Sequence, residues 1–257
     1  MMSRPTAVVT GAAGGIGAAV ARRLAADGYG LFLVDLDARV EKLARQIADE
    51  GGVARARQYD LREVSGAAVV ADEAAAATGK IDVLINSAGV SLPRRHDEVT
   101  EEEWDFILDV NAKGTFFLTA AVARHMTGQR SGSIVTISSI SGKGWRDASS
   151  VAYAASKAAV IAMSRLLAVE LGEFGVRVNV VCPGITRTEM MAQWAATRAA
   201  TLGMPVEEFV KSRVRGSALG RPSEVADIAA MVSFLVSAEA GNVTGQSFNV
   251  DGGTLWD

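Results

Sequence analysis

Apolar and polar positions at the start of the chain change from a strand pattern to a helix pattern and back. Thr6–Thr10 is a short apolar run followed by glycines, and Ile16–Asp27 then carries apolar residues at helical spacing. A second apolar run, Gly30–Val34, comes next. This order predicts a βαβ unit, in which a helix joins two parallel strands and packs on the sheet that they form.

The same alternation continues to the end of the chain. Further strands are predicted at Val53–Tyr59, Ile81–Asn86, Ser133–Ser138, Arg177–Cys182 and Gln246–Val250, and further helices at Ala38–Glu50, Arg62–Thr78, Glu101–Met126, Val151–Phe174 and Pro222–Ser237. Strands that alternate with helices are typical of a parallel sheet covered on both faces. We therefore predict one α/β domain, residues 1–257, of the doubly wound Rossmann type with seven parallel strands.

One segment, residues 187–220, interrupts this alternation. It is rich in Ala, Met and Arg, and Trp194 and Phe209 occur at amphipathic spacing between Pro183 and Pro222. We interpret the segment as a helical insertion. No linker rich in Gly, Ser or Pro, no fixed-period repeat and no low-complexity tail divides the sequence.

Composition narrows the class of protein. The 257 residues are 49% hydrophobic and carry a formal net charge of −3, which suits a globular core and provides no cationic surface for nucleic acid or an anionic membrane. The N-terminus lacks the pattern of a signal peptide, and no apolar segment approaches the roughly 18 residues that span a bilayer. Cys182 is the one cysteine, so no intrachain disulfide can form. We expect a cytoplasmic protein whose partners include neither nucleic acid nor membrane.

A glycine-rich turn, Thr10–Gly17, joins the first predicted strand to the first helix. Glycines there let the backbone approach a pyrophosphate at the N-terminus of the helix. Asp35 follows the second strand, where its carboxylate can accept hydrogen bonds from ribose hydroxyls and would repel a 2′-phosphate. An ordinary capping or loop aspartate is the alternative. The pattern favours a dinucleotide cofactor, and NAD over NADP.

Tyr153 and Lys157 lie four residues apart in a predicted helix, so their side chains project from one face. A phenol with an ordinary pKa near 10 needs a depression of roughly three units to act as a base near neutral pH. A neighbouring ammonium has the right sign for that depression. The pair therefore indicates an acid/base centre, although such pairs also occur on helix surfaces without a chemical role.

Taken together, these motifs resemble those of the short-chain dehydrogenase/reductase family over essentially the whole chain. Thr10–Gly17 is similar to its TGxxxGxG loop, Asn86-Ser87-Ala88-Gly89 to its NNAG segment, Tyr153–Lys157 to its YxxxK motif and Pro183-Gly184 to its PG turn. Two positions depart from the family pattern. Ser87 replaces the second asparagine of NNAG, and Thr186 stands where an aliphatic residue is usual. Neither departure removes a catalytic group.

The resemblance implies a catalytic set of Asn111, Ser139, Tyr153 and Lys157. In that set, Ser139 binds the substrate oxygen, Tyr153 exchanges its proton, and Lys157 holds the nicotinamide ribose and lowers the pKa of Tyr153. Asn111 positions a water that connects Lys157 to solvent. A purely structural Asn111, bonded to backbone where its helix distorts, remains an open alternative, as does Ser138 in place of Ser139.

The resemblance also implies the residues around the ligands. NAD is expected to contact Thr10, Gly11, Gly15, Ile16, Gly17, Asp35, Asp60, Leu61, Asn86, Ala88, Gly89, Tyr153, Lys157, Pro183, Gly184, Thr186 and Thr188. The substrate is expected to face Ser141, Trp145, Arg146, Met190, Met191 and Trp194. Trp194 could instead pack the insertion against the core. His96 and His125 lack the clustered ligands of a metal site, so no metal is expected.

The expected activity is reversible, NAD-dependent hydride transfer between nicotinamide and a secondary alcohol or ketone. A small polyol, vicinal diol or acyloin is the first substrate class, because the insertion resembles the lids of sugar-alcohol and butanediol dehydrogenases. A reductase of 3-oxoacyl thioesters or another carbonyl reductase is the alternative among enzymes. A nucleotide-binding sensor or scaffold without turnover is the alternative outside enzymes.

Two further expectations concern charge and assembly. Arg94, Arg95 and Arg146 could bind an anionic substrate, but Asp97 and Asp147 are adjacent countercharges, so a neutral substrate is preferred. The resemblance implies a homotetramer, with a dimer as the alternative, in which the helices predicted at 101–126 and 151–174 pair between subunits.

Overall fold

Seven parallel strands form one sheet in the computed structural model, which describes residues 4–145 and 148–256. The strands, numbered β1 to β7 in chain order, are Thr6–Thr10, Gly30–Asp35, Val53–Gln58, Val83–Asn86, Gly132–Ile137, Val176–Pro183 and Ser247–Val250. They lie in the order β3-β2-β1-β4-β5-β6-β7, and each neighbouring pair is parallel. The predicted doubly wound, seven-stranded sheet is confirmed.

Helices cover both faces of this sheet. Numbered α1 to α9, they are Gly15–Ala26, Arg39–Asp49, Ala67–Thr78, Glu101–Leu108, Thr115–Gln129, Val151–Gly172, Glu189–Leu202, Val206–Val214 and Val225–Val236. Buried residues of α1, α2 and α9 form one apolar core with the sheet, and those of α3, α5 and α6 form a second core on the opposite face. Because both faces are covered, a central strand such as β1 is buried at every position.

The helix predicted at 101–126 differs from the observed structure. It is divided into α4 and α5 by a wider π-helical turn, Asp109–Gly114. This turn presents Asn111 to the backbone of Val90, with which its side chain makes two hydrogen bonds. A π turn inside a helix commonly marks a functional site.

The turn between β1 and α1 leaves no room for a side chain at two glycines. A Cβ atom at Gly17 would lie 2.0 Å from the carbonyl oxygen of Gly11. Gly11 itself has a φ of +66°, and a Cβ there would lie 2.7 Å from Ala88. Glycine at these positions allows β1, α1 and the segment after β4 to meet closely.

The segment 187–220 folds into α7 and α8 beyond the carboxyl end of the sheet. The rings of Trp194 and Phe209 join the two helices, with centroids 5.0 Å apart and an edge-on angle of 63°. An ion pair of 2.9 Å between Arg187 and Glu224 ties the start of the segment to the first turn of α9. The segment therefore has a small apolar core of its own, and an ion pair joins it to the start of α9.

Two helical runs are long and apolar enough to meet the length and composition of a membrane span: Glu101–Gln129 and Val151–Gly172. The expectation that no segment approaches that length was therefore wrong, because helices that pack on the sheet carry enough apolar residues along their full length to meet these criteria. In the most apolar windows, 56% and 39% of residues are buried within the protein. Both runs pack on the sheet, and core helices of this kind meet the same criteria, so they are weak evidence for a membrane span.

Candidate active site

Two adjoining cavities lie at the carboxyl end of the sheet, the edge at which open parallel sheets bind ligands. The larger, about 640 Å³, follows the β1–α1 turn and the ends of β2 and β4, and we call it the groove. The smaller, about 170 Å³, lies between the end of β5, α6 and the segment 187–220, and we call it the pocket. Ile16, Gly89, Thr188 and Met190 belong to the walls of both.

Most residues expected to contact ligands line one of these cavities. The groove is lined by Thr10, Gly11, Gly15, Ile16, Gly17, Asp35, Asp60, Leu61, Ala88, Gly89 and Thr188. The pocket is lined by Ser139, Ser141, Trp145, Tyr153, Lys157, Pro183, Gly184, Thr186, Met190, Met191 and Trp194. Asn86 and Asn111 are buried and line neither cavity, and Arg146 lies outside the described residues.

Asp35 lies at the end of β2 and faces the glycine turn. Its Oδ2 accepts a hydrogen bond of 2.8 Å from the backbone N–H of Ala13, and its Oδ1 accepts one of 2.9 Å from Asp37. Arg39, which sequence reasoning missed, also lines the groove and pairs with Asp37 at 2.7 Å and with Glu189 at 3.5 Å. A basic residue four positions after Asp35 was the signal in the sequence.

The floor of the groove depends on Thr10 and Asn86. The hydroxyl oxygen of Thr10 accepts the backbone N–H groups of Ser87 and Ala88, both at 3.1 Å. The amide of Asn86 donates to the hydroxyl of Thr119 at 2.8 Å, so its side chain points into the core. Asn86 therefore supports the floor from below, and its side chain is not part of the cavity wall.

Asp60 lines the groove just beyond the end of β3. Its carboxylate accepts hydrogen bonds from the guanidinium of Arg62, and these lower the pKa of Asp60. Arg62 also lies over the ring of Phe106, with its guanidinium carbon 5.4 Å from the ring centroid. The ion pair and the ring therefore form part of the groove wall.

The first turn of α6 sets the position of Tyr153. The hydroxyl of Ser150 caps the helix by accepting the backbone N–H of Tyr153 at 3.2 Å. The phenol is hydrogen-bonded to Ser139, which follows β5. Burial raises the pKa of Tyr153 to about 12, and the hydrogen bond to Ser139 lowers it by a smaller amount. The phenol is therefore protonated at neutral pH.

Lys157 lies one helical turn after Tyr153 and is 5% exposed. Its Nζ donates to the carbonyl of Ile137 at 3.0 Å and lies 5.8 Å from the centroid of the Tyr153 ring. Burial lowers the pKa of Lys157 to about 8. Burial favours the neutral form of each group, and neither pKa shift has the other side chain among its causes. A lowering of the Tyr153 pKa by Lys157 stays a prediction.

The side chain of Asn111 is occupied by protein groups. Its Oδ1 accepts the backbone N–H of Val90 at 2.7 Å, and its Nδ2 donates to the carbonyl of Val90 at 2.9 Å and to the hydroxyl of Ser156 at 3.0 Å. This is the backbone bonding at a helix distortion that the sequence left open as an alternative. A water held by Asn111 stays a prediction.

The two adjacent serines after β5 point in different directions. Ser138 donates to the backbone carbonyl of Lys157 at 2.8 Å. Ser139 accepts the backbone N–H of Ser141 at 3.0 Å and is the serine hydrogen-bonded to the phenol of Tyr153. The geometry therefore favours Ser139 over Ser138 as the partner of Tyr153.

The wall of the pocket toward the lid is apolar. It includes Trp145, Met190, Met191 and Trp194, so Trp194 both lines the pocket and packs against Phe209. The indole N–H of Trp194 is buried without a hydrogen-bond partner among the described residues. An apolar wall with few polar groups is typical of sites for small organic ligands.

Two serines in the opposite wall, Ser91 and Ser149, were missed by sequence reasoning. Single serines in loops belong to no recognisable motif, so the sequence contains no signal for them. The described residues, 4–145 and 148–256, contain no group of three or more His, Cys, Asp or Glu side chains that could hold a metal ion.

Comparison with known proteins identifies the family. Residues 11–254 match the family model described as enoyl-(acyl carrier protein) reductase. The chain is 38% identical over 251 residues to the 2,3-dihydro-2,3-dihydroxybenzoate dehydrogenase of Bacillus subtilis, covering 96% of this chain and 94% of that protein. It is 36% identical over 249 residues to the D-threitol dehydrogenase of Mycolicibacterium smegmatis, covering 96% and 91%. The chain belongs to the short-chain dehydrogenase/reductase family.

Solved structures agree with this assignment. The crystal structure of NAD+-bound xylitol dehydrogenase superimposes with a TM-score of 0.91 at 26% identity, covering 98% of this chain and 99% of the other. As a short-chain dehydrogenase/reductase, the protein is an oxidoreductase that acts on CH–OH groups. Its Thr10–Gly17 and Tyr153–Lys157 motifs lie in the two cavities described above.

The buried ammonium of Lys157 should destabilise the fold of this short-chain dehydrogenase/reductase. Because folding lowers the pKa of Lys157 from 10.5 to about 8, the unfolded chain binds more protons between these two pH values, and the stability rises with pH across that interval. The penalty is therefore fully present below pH 8 and is lost as the pH approaches 10.5. Its size is about 3 kcal/mol by linkage.

We expect Lys157→Met to unfold with a higher free energy than the native protein at pH 7. Loss of the hydrogen bond to Ile137 offsets about 1 kcal/mol of the gain. Urea denaturation at a series of pH values should show the difference shrinking toward pH 10.5. The exposed Lys42→Met is the matched control and should show no such trend. A Lys157→Met protein that is less stable than native at pH 7 would contradict the analysis.

Proposed function

We propose that this enzyme reversibly transfers hydride between NAD and a secondary alcohol, with Tyr153 as the acid/base. The observation that carries the proposal is the partly buried phenol of Tyr153, hydrogen-bonded to Ser139 in the pocket and one helical turn from Lys157. The pocket adjoins the groove through shared wall residues, so ligands bound in the two cavities would lie next to one another.

The residues of the groove fit a dinucleotide. A Cβ at Gly11 or Gly17 would fill the space in which the backbone turns at the N-terminus of α1, and that terminus favours a phosphate. Asp35 presents a carboxylate for ribose hydroxyls, and Thr188, at the N-terminus of α7, would hold the carboxamide end. When bound, the cofactor supplies the hydride donor or acceptor, and its oxidised nicotinamide ring is positively charged.

Proton transfer is assigned to Tyr153 and Ser139. In ketone reduction, Ser139 donates a hydrogen bond to the substrate oxygen and Tyr153 gives it a proton. Burial, which raises the pKa of Tyr153 to about 12, keeps the phenol protonated and ready for this step. In alcohol oxidation, the phenol first gives up its proton and then accepts the proton of the alcohol.

Lys157 and Asn111 support that exchange. Lys157, whose pKa is lowered to about 8, changes charge in the pH range in which the phenol must exchange its proton. It would hold the nicotinamide ribose on the groove side. Asn111 fixes the loop at Val90 over the ammonium and would position a water that leads from Lys157 to solvent.

We propose a small neutral polyol, vicinal diol or acyloin as the substrate class. Support comes from two similar proteins, which are named as dehydrogenases of D-threitol and xylitol. An anionic substrate would need arginines with free guanidinium groups. Arg94 instead pairs with Glu103 at 2.7 Å, and Arg95 pairs with Asp97 at 3.1 Å. Neither arginine lines the pocket.

Two rival functions are less well supported. The matched family is described as enoyl-(acyl carrier protein) reductase, an enzyme of acyl thioesters, and this relation makes a 3-oxoacyl thioester or other carbonyl reductase the second candidate. Such a reductase would normally use NADPH, and the carboxylate of Asp35 in the groove argues against the extra phosphate. A sensor or scaffold without turnover has no need of Ser139, Tyr153 and Lys157 together in one pocket.

Replacing Tyr153 with Phe should lower turnover by about 10²–10⁴-fold, because it removes the transferable proton and keeps the ring. NAD binding should largely survive, since the ring still fills its place in the pocket wall. Absorbance at the reduced nicotinamide band with a panel of secondary alcohols measures the rate, and titration with NAD measures affinity. Tyr29→Phe, remote from both cavities, is the matched control. A fully active Tyr153→Phe enzyme would refute the assignment.

Replacing Asp35 with Ser should weaken NAD binding and improve the relative use of NADP. The change removes a ribose acceptor and a negative charge beside Arg39, which could then approach a 2′-phosphate. The ratio of kcat/KM for the two cofactors is the measurement. Asp49→Ser removes the same charge from the exposed far end of α2 and should leave the ratio unchanged. An unchanged ratio in Asp35→Ser would exclude Asp35 as the discriminator.

We also propose a cytoplasmic homotetramer, with a dimer as the alternative. The outer faces of α5 and α6 expose Phe116, Phe117, Leu166 and Val169, and Val169 is 79% exposed. Large apolar groups of this kind are commonly covered by another subunit. Light scattering should report a multimer at micromolar concentration, and Val169→Glu should shift it toward smaller species. A native protein that remains monomeric would contradict the proposed assembly.

A further inference from the structure

Two serine hydroxyls form a polar element in the pocket wall that the proposed reaction does not use. Ser91 lies in the loop after β4, and Ser149 lies just before α6. Their Oγ atoms are 2.6 Å apart, and both residues line the pocket together with Ser139 and Tyr153. Both side chains are partly exposed to the pocket.

Neighbouring contacts hold each serine in place. Ser91 follows Val90, whose backbone N–H and carbonyl are both bound by Asn111 at 2.7 and 2.9 Å. Ser149 precedes Ser150, the capping residue of α6. A separate backbone hydrogen bond of 3.2 Å, from Arg94 to the carbonyl of Ser149, already joins the two loops. The hydroxyl pair is therefore not needed to tie the loops together, and its position is fixed before a ligand arrives.

The pair has unused hydrogen-bonding capacity of a particular kind. Each serine hydroxyl has one donor and two lone pairs, and the bond between them uses one donor and one lone pair. Neither hydroxyl has another hydrogen-bond partner among the described residues. One donor and several acceptors remain. A ligand hydroxyl, which both donates and accepts, satisfies this set, whereas a carboxylate can only accept and would find a single donor.

The lid side of the pocket wall is largely apolar. Toward the lid, the pocket presents Trp145, Met190 and Met191, which favour hydrocarbon. A polar group buried against such a surface without a hydrogen bond costs free energy. A substrate with two oxygens is therefore best accommodated with one at Ser139 and Tyr153, the other at Ser91 and Ser149, and its carbon atoms toward the lid.

We propose that Ser91 and Ser149 bind a second, uncharged hydroxyl of the substrate and so select secondary alcohols that carry another hydroxyl group. The inference rests on the proposed dehydrogenase function and names two specificity-determining residues for it. Neither residue takes part in proton or hydride transfer.

Binding without turnover tests the inference. In Tyr153→Phe protein saturated with NAD, quenching of the fluorescence of Trp145 and Trp194 would report affinity for matched pairs: butane-2,3-diol and butan-2-ol, pentane-2,4-diol and pentan-2-ol, cyclohexane-1,2-diol and cyclohexanol. At least one diol should bind more tightly than its mono-alcohol. When Ser91→Ala or Ser149→Ala is combined with Tyr153→Phe, the ratio of diol affinity to mono-alcohol affinity should fall by about 5- to 10-fold, which is the effect of one hydrogen bond.

Matched variants separate specificity from structure. Ser149→Thr keeps a hydroxyl and should retain most of the preference, and the exposed Ser131→Ala should retain all of it. Equal losses for diols and mono-alcohols would mean that the pair only supports the loops, and would overturn the proposal. So would the absence of any diol preference before Ser91 or Ser149 is changed.

A charged probe tests the second half of the proposal. Butane-1,3-diol and 3-hydroxybutyrate share a carbon skeleton and a secondary alcohol, and we expect the diol to bind more tightly. A preference for the anion that Ser91→Ala abolishes would overturn the assignment of an uncharged group. The dehydrogenase function is tested separately, by turnover of enzyme with native Ser91 and Ser149. If that turnover does not depend on Tyr153, the proposed dehydrogenase function fails, whatever the binding measurements show.

Discussion

The hydrogen bonds of the Asn111 side chain hold together the three segments from which the active site is built. Asn111 lies in the π turn between α4 and α5, bonds both backbone groups of Val90, and donates a hydrogen bond to the hydroxyl of Ser156 in α6. Ser156 in turn donates to the backbone carbonyl of Tyr153 at 2.8 Å. The loop after β4, the π turn and the catalytic helix therefore share one polar junction, and the position of the phenol depends on it.

Burial determines the protonation of the two groups that this junction brings together. The same low dielectric raises the pKa of Tyr153 to about 12 and lowers the pKa of Lys157 to about 8. Both shifts favour the neutral form of the side chain. At neutral pH the phenol of Tyr153 is therefore neutral, whereas Lys157, with a pKa of about 8, is still mostly protonated and supplies the positive charge of the site.

Much of the fold and the chemical core of the site could be predicted from the sequence. Strand boundaries such as Thr6–Thr10 follow from apolar runs, and Tyr153 and Lys157 are marked by helical spacing within a motif. What could not be predicted depends on three-dimensional contacts. The π turn at Asp109–Gly114 carries Asn111, which bonds the backbone of a residue 21 positions earlier in the chain. Ser91 and Ser149 are hydrogen-bonded to each other although 58 positions separate them. The pKa shift of Tyr153 requires knowledge of burial, which the motif does not contain.

The shared wall of the two cavities has a consequence for the kinetic scheme. Thr188 caps α7, which begins the lid, and both Thr188 and Met190 line the groove as well as the pocket. Arg39 and Glu189 add an ion pair between the groove edge and the first residue of α7. A dinucleotide in the groove would therefore contact the start of the lid and complete one wall of the pocket before an alcohol enters. This arrangement favours a compulsory sequence in which the cofactor enters first and leaves last.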